Sequence, residues 1–168
     1  MVLYRERKLN RLRSRDYSRP GWYFVTVCCK NMKCWLGKIE NNQMILNDLG
    51  KIVYLRVNDI ERFYKRIKII DFVVMPNHVH MLVQIVGTEQ CSVRTGRNYG
   101  LLSKMIKSLK DVATKEIRRK YRKDFGWHRS FYDEIVRDKK MFLNIKQYIK
   151  NNPKLWYRDR NNLGVNNH

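Results

Sequence analysis

The chain has 168 residues, of which 43% are hydrophobic, and it contains only eight glycines and three prolines. This composition excludes collagen-like, low-complexity and fully disordered chains, because it supplies enough apolar side chains for one core. Lys and Arg number 36 against 15 Asp and Glu, and the net charge of +21 favours an anionic partner, nucleic acid first and an acidic membrane surface second.

The first half of the chain reads as a basic arm, a strand, a hairpin and a helix. Residues 1–19 are rich in arginine and form the arm. Residues 22–30 are aromatic and β-branched, which predicts a strand. The segments 36–40 and 43–46 flank Asn41-Asn42, a pair typical of a tight hairpin turn. Asn47 or Asp48 can cap a helix that runs to about Phe63.

The second half adds two strands, a long helix, a short strand and a last helix. Residues 67–75 and 78–86 read as strands, separated by Pro76-Asn77, and 87–98 as a loop. Apolar residues at helical spacing predict a helix over 101–122, whose other face is basic. A short strand within 127–136 precedes a helix that begins at Asp138 and must end before Pro153. Residues 154–168 form a polar tail.

This order of elements predicts an α+β protein. Strands interrupted by two main helices fit a ferredoxin-like or RRM-like βαββαβ sandwich, with an antiparallel sheet covered by helices on one face and a further C-terminal helix. No repeat or linker divides the chain, so residues 1–168 are expected to form a single domain.

The sequence gives no sign of export or membrane insertion. It has no uncharged apolar stretch of about 18 residues and no secretory apolar run in residues 1–19, so we expect no membrane span and no signal peptide. The four cysteines lack paired CxxC spacing and are interpreted as reduced thiols rather than zinc ligands: Cys28, Cys29, Cys34 and Cys91. We therefore expect a cytoplasmic protein.

Two histidines lie two residues apart in a predicted strand. His78 and His80 project to one face, while the alternate residues Val79, Met81, Val83 and Ile85 are wholly apolar and belong to the core. Two adjacent imidazoles can bind one divalent cation if one or two oxygen ligands complete the set. The alternative is a pair of surface histidines on an exposed sheet face.

The last predicted helix places a tyrosine and an asparagine on one face, because Tyr148 and Asn152 are four residues apart. A tyrosine can act as a nucleophile and hold its product covalently, and an asparagine can offer an amide oxygen to a hard cation. The alternative is a packing tyrosine and an ordinary polar residue at a helix end.

These motifs resemble those of a known family. MPNHVH at 75–80 and YIKNNP at 148–153 resemble the REP-associated tyrosine transposases, relatives of the single-tyrosine HUH transposases of bacterial insertion sequences. Two further blocks, residues 16–26 and 127–137, resemble the first strand of the family and its block before the tyrosine helix. In that block the position that is commonly histidine is Glu134, whose role stays open.

The resemblance implies a metal-dependent tyrosine DNA endonuclease and transposase. His78, His80 and Asn152 match the metal site, expected to take Mg²⁺ or Mn²⁺, and Tyr148 matches the nucleophile. The implied reaction cuts single-stranded DNA, leaves a 3′-hydroxyl and forms a 5′-phosphotyrosine link, which another 3′-hydroxyl can attack to rejoin DNA. No residue visible in the sequence stands out as the base for the tyrosine.

The implied partners are single-stranded and hairpin DNA, with REP-like palindromes as the family substrate, and the protein would lie at the bacterial nucleoid when bound. Monomer and homodimer both stay open. The basic residues expected to hold phosphates are Arg11, Arg13, Arg15, Lys104, Lys107, Lys110, Arg118 and Arg119. Trp35, Trp127 or Trp156 could stack on unpaired bases, although Trp22 and Trp127 are expected in the core.

Two other functions compete with this interpretation. A non-catalytic nucleic-acid-binding protein on an RRM-like sheet would carry aromatic side chains on the open face of its central strands. The strand that starts at His78 carries His, His, Leu and Gln there instead, which favours a nuclease. A metal-dependent hydrolase that uses water would leave Tyr148 without a chemical role.

Overall fold

The computed structural model describes residues 19–87, 100–159, 161 and 162. Four of the six strands form an antiparallel sheet in the order β4-β5-β1-β6, and β2 pairs with β3 in a separate hairpin. In chain order the elements are β1 (Gly21–Cys28), β2 (Gly37–Glu40), β3 (Gln43–Leu46), α1 (Asp48–Asn58), α2 (Ile60–Phe63), β4 (Ile67–Val74), β5 (His78–Ile85), α3 (Leu101–Lys120), β6 (Tyr132–Val136) and α4 (Lys139–Asn151). The predicted α+β class and the βαββαβ order are confirmed.

The main core lies between the sheet and the helices α1 and α3. Alternate residues of β5 enter it, as the sequence pattern predicts: Val79, Met81, Val83 and Ile85. Helix α3 contributes a buried stripe with helical spacing: Leu102, Met105, Ile106, Leu109, Ala113 and Ile117. Full burial of a side chain of this size contributes about 1.5–3 kcal/mol, so this face of the sheet dominates the stability.

Helix α4 covers part of the opposite face of the sheet. Its residues Ile145 and Ile149 pack with Leu82 of β5 and Val136 of β6 in a second, smaller apolar cluster. The sheet therefore has helices on both faces rather than on one. The residues of β1 and β5 that point away from the main core face α4.

Local signals fix several element boundaries. Asn41 and Asn42 have φ angles of 48° and 61°, which matches the left-handed turn expected of an Asn-Asn hairpin. Asn47 caps α1 by accepting a hydrogen bond from the Gly50 N–H at 3.0 Å. The Asp138 side chain accepts one from the Met141 N–H at 2.8 Å and starts α4.

Two expectations about this fold were wrong in detail. The helix expected to reach Phe63 divides at Asp59, so that α1 and α2 are separate. Trp22 is 39% exposed and has Phe142 as a ring contact at 5.5 Å, because it points to the α4 face at the start of β1. None of the described cysteines, Cys28, Cys29 and Cys34, forms a disulfide, as expected, and burial raises the pKa of the Cys29 thiol.

Several residues named from the sequence lie outside the described part of the chain. The arm before Arg19, residues 88–99 and residues 163–168 are among them, so Arg11, Arg13, Arg15 and Cys91 have no structural account. Among the helices that the structure does describe, none combines the length and the apolar character needed to cross a bilayer.

Candidate active site

His78 and His80 lie side by side on the face of β5 that looks toward α4. In the pairing with β1, His78 is opposite Cys28 and His80 is opposite Thr26. Both imidazoles are 0% exposed, and their Nε2 atoms are 2.9 Å apart. The pair therefore shares one face, as the strand alternation predicts, but it is sealed beneath α4 and the following segment rather than exposed on a sheet surface.

Asn77 fixes the tautomer of His78. The Asn77 Nδ2 group donates to two backbone carbonyls, of Met32 at 3.0 Å and Asn161 at 2.7 Å, so the amide cannot be turned around. Its Oδ1 atom, 2.8 Å from His78 Nδ1, must then accept a hydrogen bond from that nitrogen. A neutral His78 consequently carries its proton on Nδ1 and presents an Nε2 lone pair toward His80.

Thr26 gives His80 a choice of tautomer. The Thr26 Oγ1 atom is 2.8 Å from His80 Nδ1, and a hydroxyl can either donate or accept. In the neutral pair without a cation, His80 holds its proton on Nε2 and donates it to His78 Nε2, while the Thr26 hydroxyl donates to Nδ1. Rotation of that hydroxyl lets His80 carry the proton on Nδ1 instead, which turns both Nε2 lone pairs into potential metal ligands.

Helix α4 brings Tyr148 to the histidine pair. The Tyr148 hydroxyl is 3.2 Å from His80 Nε2, and the two rings lie 5.2 Å apart. Phe24 of β1 packs against both, with ring-centre distances of 5.2 Å to His80 and 5.9 Å to Tyr148. Tyr148 is 36% exposed, so a phenol at the protein surface adjoins a buried imidazole pair.

Asn152 lies one helical turn after Tyr148 and is only 1% exposed. Its Nδ2 group donates to an Asp159 oxygen at 3.1 Å. Its Oδ1 atom is buried and has no hydrogen-bond partner among the residues described. Such an orphaned amide oxygen is costly in an empty interior, and it is the kind of ligand that a hard cation takes.

Asp159, which the sequence analysis placed in a polar tail, is a further residue of this site. Its carboxylate Oδ2 accepts a hydrogen bond from the Tyr148 hydroxyl at 3.4 Å and lies 3.9 Å from His78 Nε2. Ligand atoms of His78, His80 and Asp159 all lie within 4.8 Å of one another. No sequence spacing predicts Asp159 as a site residue, because a turn of the chain after Pro153 brings it back to the site.

The donor set fits a divalent cation. Two imidazole nitrogens 2.9 Å apart match the roughly 3 Å expected of two ligands at right angles around one ion with bonds of about 2.1 Å. Imidazole suits transition metals, whereas carboxylate and amide oxygens suit Mg²⁺ and Mn²⁺. The structure thus brings the three predicted metal ligands, His78, His80 and Asn152, together with Tyr148.

Glu134 lines the open groove beside the tyrosine. It is opposite Phe24 in the pairing of β1 with β6, and its side chain is exposed. The same groove, of about 560 Å³, is lined by Tyr148, Asn152 and Arg158. Glu134 therefore shares the entrance of the site, without a hydrogen bond described to the histidine pair.

The predicted phosphate-binding residues of α3 differ in how far their side chains are engaged. Lys110 Nζ donates to the backbone oxygens of His128 and Ser130, each at 2.9 Å, and Arg118 Nε donates to that of Phe125 at 2.8 Å. Hydrogen bonding to the Asp111 carboxylate raises the pKa of Lys107. Lys104 and Arg119 are exposed on the same helix.

The tryptophans also differ in their surroundings. Trp35 is half-buried, with Lys33 Nζ 5.4 Å and Arg122 Cζ 5.0 Å from its ring centre. Trp127 is half-buried against the main core, as expected. Trp156 lies 6.0 Å from the His78 ring and covers one side of the site.

Comparisons with known proteins find similarity to transposases. Residues 27–152 match a family model described as IS200-like transposase. An uncharacterised protein of Haemophilus influenzae is 34% identical, over 92% of this chain and 92% of its own length. A second H. influenzae protein, provisionally named a REP-associated tyrosine transposase, is 24% identical over 83% of this chain and 73% of its own.

Solved structures show the same fold. One, described as a REP-associated tyrosine transposase bound to a REP hairpin, gives a TM-score of 0.58 at 21% identity and covers 83% of this chain and 71% of that chain. Another, a provisionally named transposase of Deinococcus radiodurans, gives a TM-score of 0.50 at 17% identity and covers 82% of this chain and 94% of that chain.

Proposed function

Because the chain belongs to the IS200-like transposase family, we propose that it cuts single-stranded DNA beside hairpins and that Tyr148 forms a 5′-phosphotyrosine link. Transposases cut and rejoin DNA, and we propose that the tyrosine link is the covalent intermediate between these two steps. The observation that carries it is the Tyr148 hydroxyl, 3.2 Å from His80 Nε2 at the edge of a buried imidazole pair. A nucleophile adjacent to a cation-binding pair is what cleavage of a phosphodiester requires.

His78, His80 and Asn152 would hold the divalent cation, Mg²⁺ or Mn²⁺. When bound, it supplies a Lewis acid that polarises the scissile phosphate and offsets its charge. Asn77 holds His78 with its Nε2 lone pair directed at the site, and Thr26 can do the same for His80. These hydrogen bonds orient the imidazoles before any substrate arrives.

Tyr148 would carry out the covalent step. Its oxygen forms a bond to phosphorus, and the bond from phosphorus to the 3′ oxygen breaks. That oxygen takes up a proton and leaves as a hydroxyl. The phenol must give up its own proton, and the Asp159 carboxylate, whose Oδ2 atom lies 3.4 Å from the hydroxyl, is an acceptor within reach. Attack by another 3′-hydroxyl on the phosphotyrosine reverses the sequence and rejoins DNA.

The basic residues would hold the remaining phosphates. We assign this role to the arm, Arg11, Arg13 and Arg15, and to α3, where Lys104 and Arg119 are exposed and have no described side-chain hydrogen bond. A hairpin partner is supported by the solved relative that is described as bound to a REP hairpin. The proposal places a single-domain protein in the cytoplasm and on nucleoid DNA, as a monomer or homodimer.

The alternative of a non-catalytic RRM-like binding module has less support. Such modules stack bases on aromatic side chains of an open sheet face. Here that face of β1 and β5 is covered by α4, and Phe24 is already in contact with His80 and Tyr148. A basic surface remains, but the sheet offers no open stacking platform at the histidines.

Trapping a covalent adduct tests the proposal. Wild-type protein, a single-stranded hairpin DNA and Mn²⁺ are incubated together, and DNA–protein species that survive denaturation are resolved by electrophoresis. We expect an adduct that Tyr148→Phe abolishes and that the double variant His78→Ala, His80→Ala abolishes as well. Tyr157→Phe is the matched control: Tyr157 is exposed on the short 3₁₀ helix Trp156–Arg158 that follows α4, and this variant should retain full activity.

The outcomes separate the competing mechanisms. If Tyr148→Phe forms as much adduct as wild type, the assignment of the nucleophile is wrong. If wild type cuts the DNA and forms no adduct, the reaction uses water. If wild type binds hairpin DNA and never cuts it in Mg²⁺ or Mn²⁺, the protein is a binding module.

A further inference from the structure

The Asp159 carboxylate is a buried anion with only neutral hydrogen-bond donors described around it. Its side chain is 2% exposed. The Asn161 N–H donates to Oδ1 at 2.7 Å, and the Asn152 amide and the Tyr148 hydroxyl donate to Oδ2. Within residues 19–87, 100–159, 161 and 162, no Lys or Arg nitrogen lies within 4.0 Å of it. A buried charge of this kind requires a compensating positive charge.

No Lys or Arg is described beside the Asp159 carboxylate, and a bound cation facing the imidazole pair would supply the compensating charge. Asp159 Oδ2 is 3.9 Å from His78 Nε2. One ligand atom from each of Asp159, His78 and His80 lies within 4.8 Å of the other two. The orphaned Asn152 Oδ1 lies in the same buried side-chain cluster. One cation would thus satisfy a carboxylate, two imidazoles and an amide oxygen together.

We propose that Asp159 is the anionic ligand of the active-site cation, and that cation binding fastens residues 155–159, 161 and 162 onto the histidine pair. The inference rests on the proposed function, since it assumes that His78 and His80 hold a metal. It adds a ligand from beyond the tyrosine helix. It also makes the position of the C-terminal segment depend on whether the cation is bound.

Other contacts of this segment converge on the same corner of the site. The Asn161 backbone oxygen accepts a hydrogen bond from Asn77, and the Trp156 ring lies beside that of His78. Asp159 is the charged group among these contacts. A cation shared by Asp159 and the histidines would therefore be the strongest link between the segment and β5.

Metal titration tests the ligand assignment. Isothermal titration of Mn²⁺ into the full chain, without DNA, should show Asp159→Asn weakening the affinity at least about tenfold. Asp138→Asn is the matched control, because it removes the same charge near the start of α4 and asparagine caps a helix as well as aspartate does. Asp159→Glu, which retains the charge, should recover part of the lost affinity.

The outcomes distinguish this inference from the proposed function. If Asp159→Asn binds Mn²⁺ as tightly as wild type while His78→Ala with His80→Ala does not, Asp159 is not a ligand and the metal site stands. If the double histidine variant also binds like wild type, the metal site of the proposed function is itself wrong.

Hydrogen exchange tests the link to the segment. Peptides covering 155–162 should exchange more slowly in wild-type protein when Mn²⁺ is added, and Asp159→Asn should abolish that change. Circular dichroism in EDTA checks that the variant folds, and Asp159→Glu provides a second test if it does not. An equal Mn²⁺-dependent protection in wild type and Asp159→Asn would refute the proposed fastening.

Discussion

Replacing Thr26 by valine should damage metal binding without touching a ligand. The substitution keeps the branched shape and removes the hydroxyl that lies 2.8 Å from His80 Nδ1. Without a cation, His80 loses the donor to Nδ1. With a cation on Nε2, the Nδ1 proton loses its acceptor. Both states of the imidazole are therefore left with a buried polar atom unsatisfied.

The size of the effect follows from burial. Thr26 is 3% exposed and His80 is 0% exposed, so water does not replace the lost hydroxyl. An unsatisfied buried polar group costs about 1–3 kcal/mol, and each kcal/mol lowers the unfolding midpoint of a chain of this size by about 2–4 °C. Loss of a group that orients a metal-ligating imidazole should weaken metal affinity about 10–100-fold.

Two measurements check this reasoning. Thermal unfolding in EDTA reports the stability loss, and Mn²⁺ titration reports the affinity loss. Thr26→Ser is the matched control, since it retains the hydroxyl and removes only a methyl group. If Thr26→Val binds Mn²⁺ with wild-type affinity, the hydroxyl does not orient His80. If Thr26→Ser, which retains the hydroxyl, is as impaired as Thr26→Val, loss of the hydroxyl is not the cause of the defect.

Four further substitutions follow from the same structure. Asp138→Ala removes the cap of α4 and should cost about 1 kcal/mol in urea unfolding, whereas Asp138→Asn should cost little; equal losses would contradict the cap. Gly50→Ala should cost about 3 kcal/mol or more by the same assay, because its Cβ would lie 2.0 Å from the Leu36 backbone oxygen; a wild-type melt would show that the backbone relaxes at no cost. Arg119→Ala should lower the slope of log DNA affinity against log salt by about 1 and leave stability unchanged. Unlike Arg119→Ala, Lys110→Ala should destabilise the fold, because its Nζ donates hydrogen bonds to two backbone carbonyls. Equal melting temperatures of the two variants would refute this difference in stability.

The sequence anticipates those parts of the site that depend on periodicity within one element. Alternation along β5 puts His78 and His80 on one face, and helical spacing puts Tyr148 and Asn152 on another. The strand and the helix need only meet, and the apolar residues Ile145 and Ile149 of α4 ensure that they do. Periodicity cannot reveal Asp159, because its position depends on the return of the chain after Pro153.

The residues that orient the two histidines, Asn77 and Thr26, lie in sequence motifs, but the motifs do not reveal their role. Asn77 precedes His78 directly, yet its function depends on two carbonyls 45 and 84 residues away in sequence. The contact between Thr26 and His80 can be predicted only if the register between β1 and β5 is known, and a single sequence does not define that register. Likewise, the division of the predicted helix at Asp59 is invisible to periodicity, because apolar residues continue at helical spacing on both sides of it.

Helix α4 carries Tyr148, the proposed nucleophile, and also covers the smaller apolar cluster through Ile145 and Ile149. The reach of Tyr148 is therefore set by a packing interface rather than by a hinge. Elements held by small interfaces open at lower free energy than the main core, so warming will separate the phenol from His80 while the rest of the sheet stays folded. The temperature ceiling of DNA cleavage is thus a property of this interface, and it should lie below the global melting temperature of the protein.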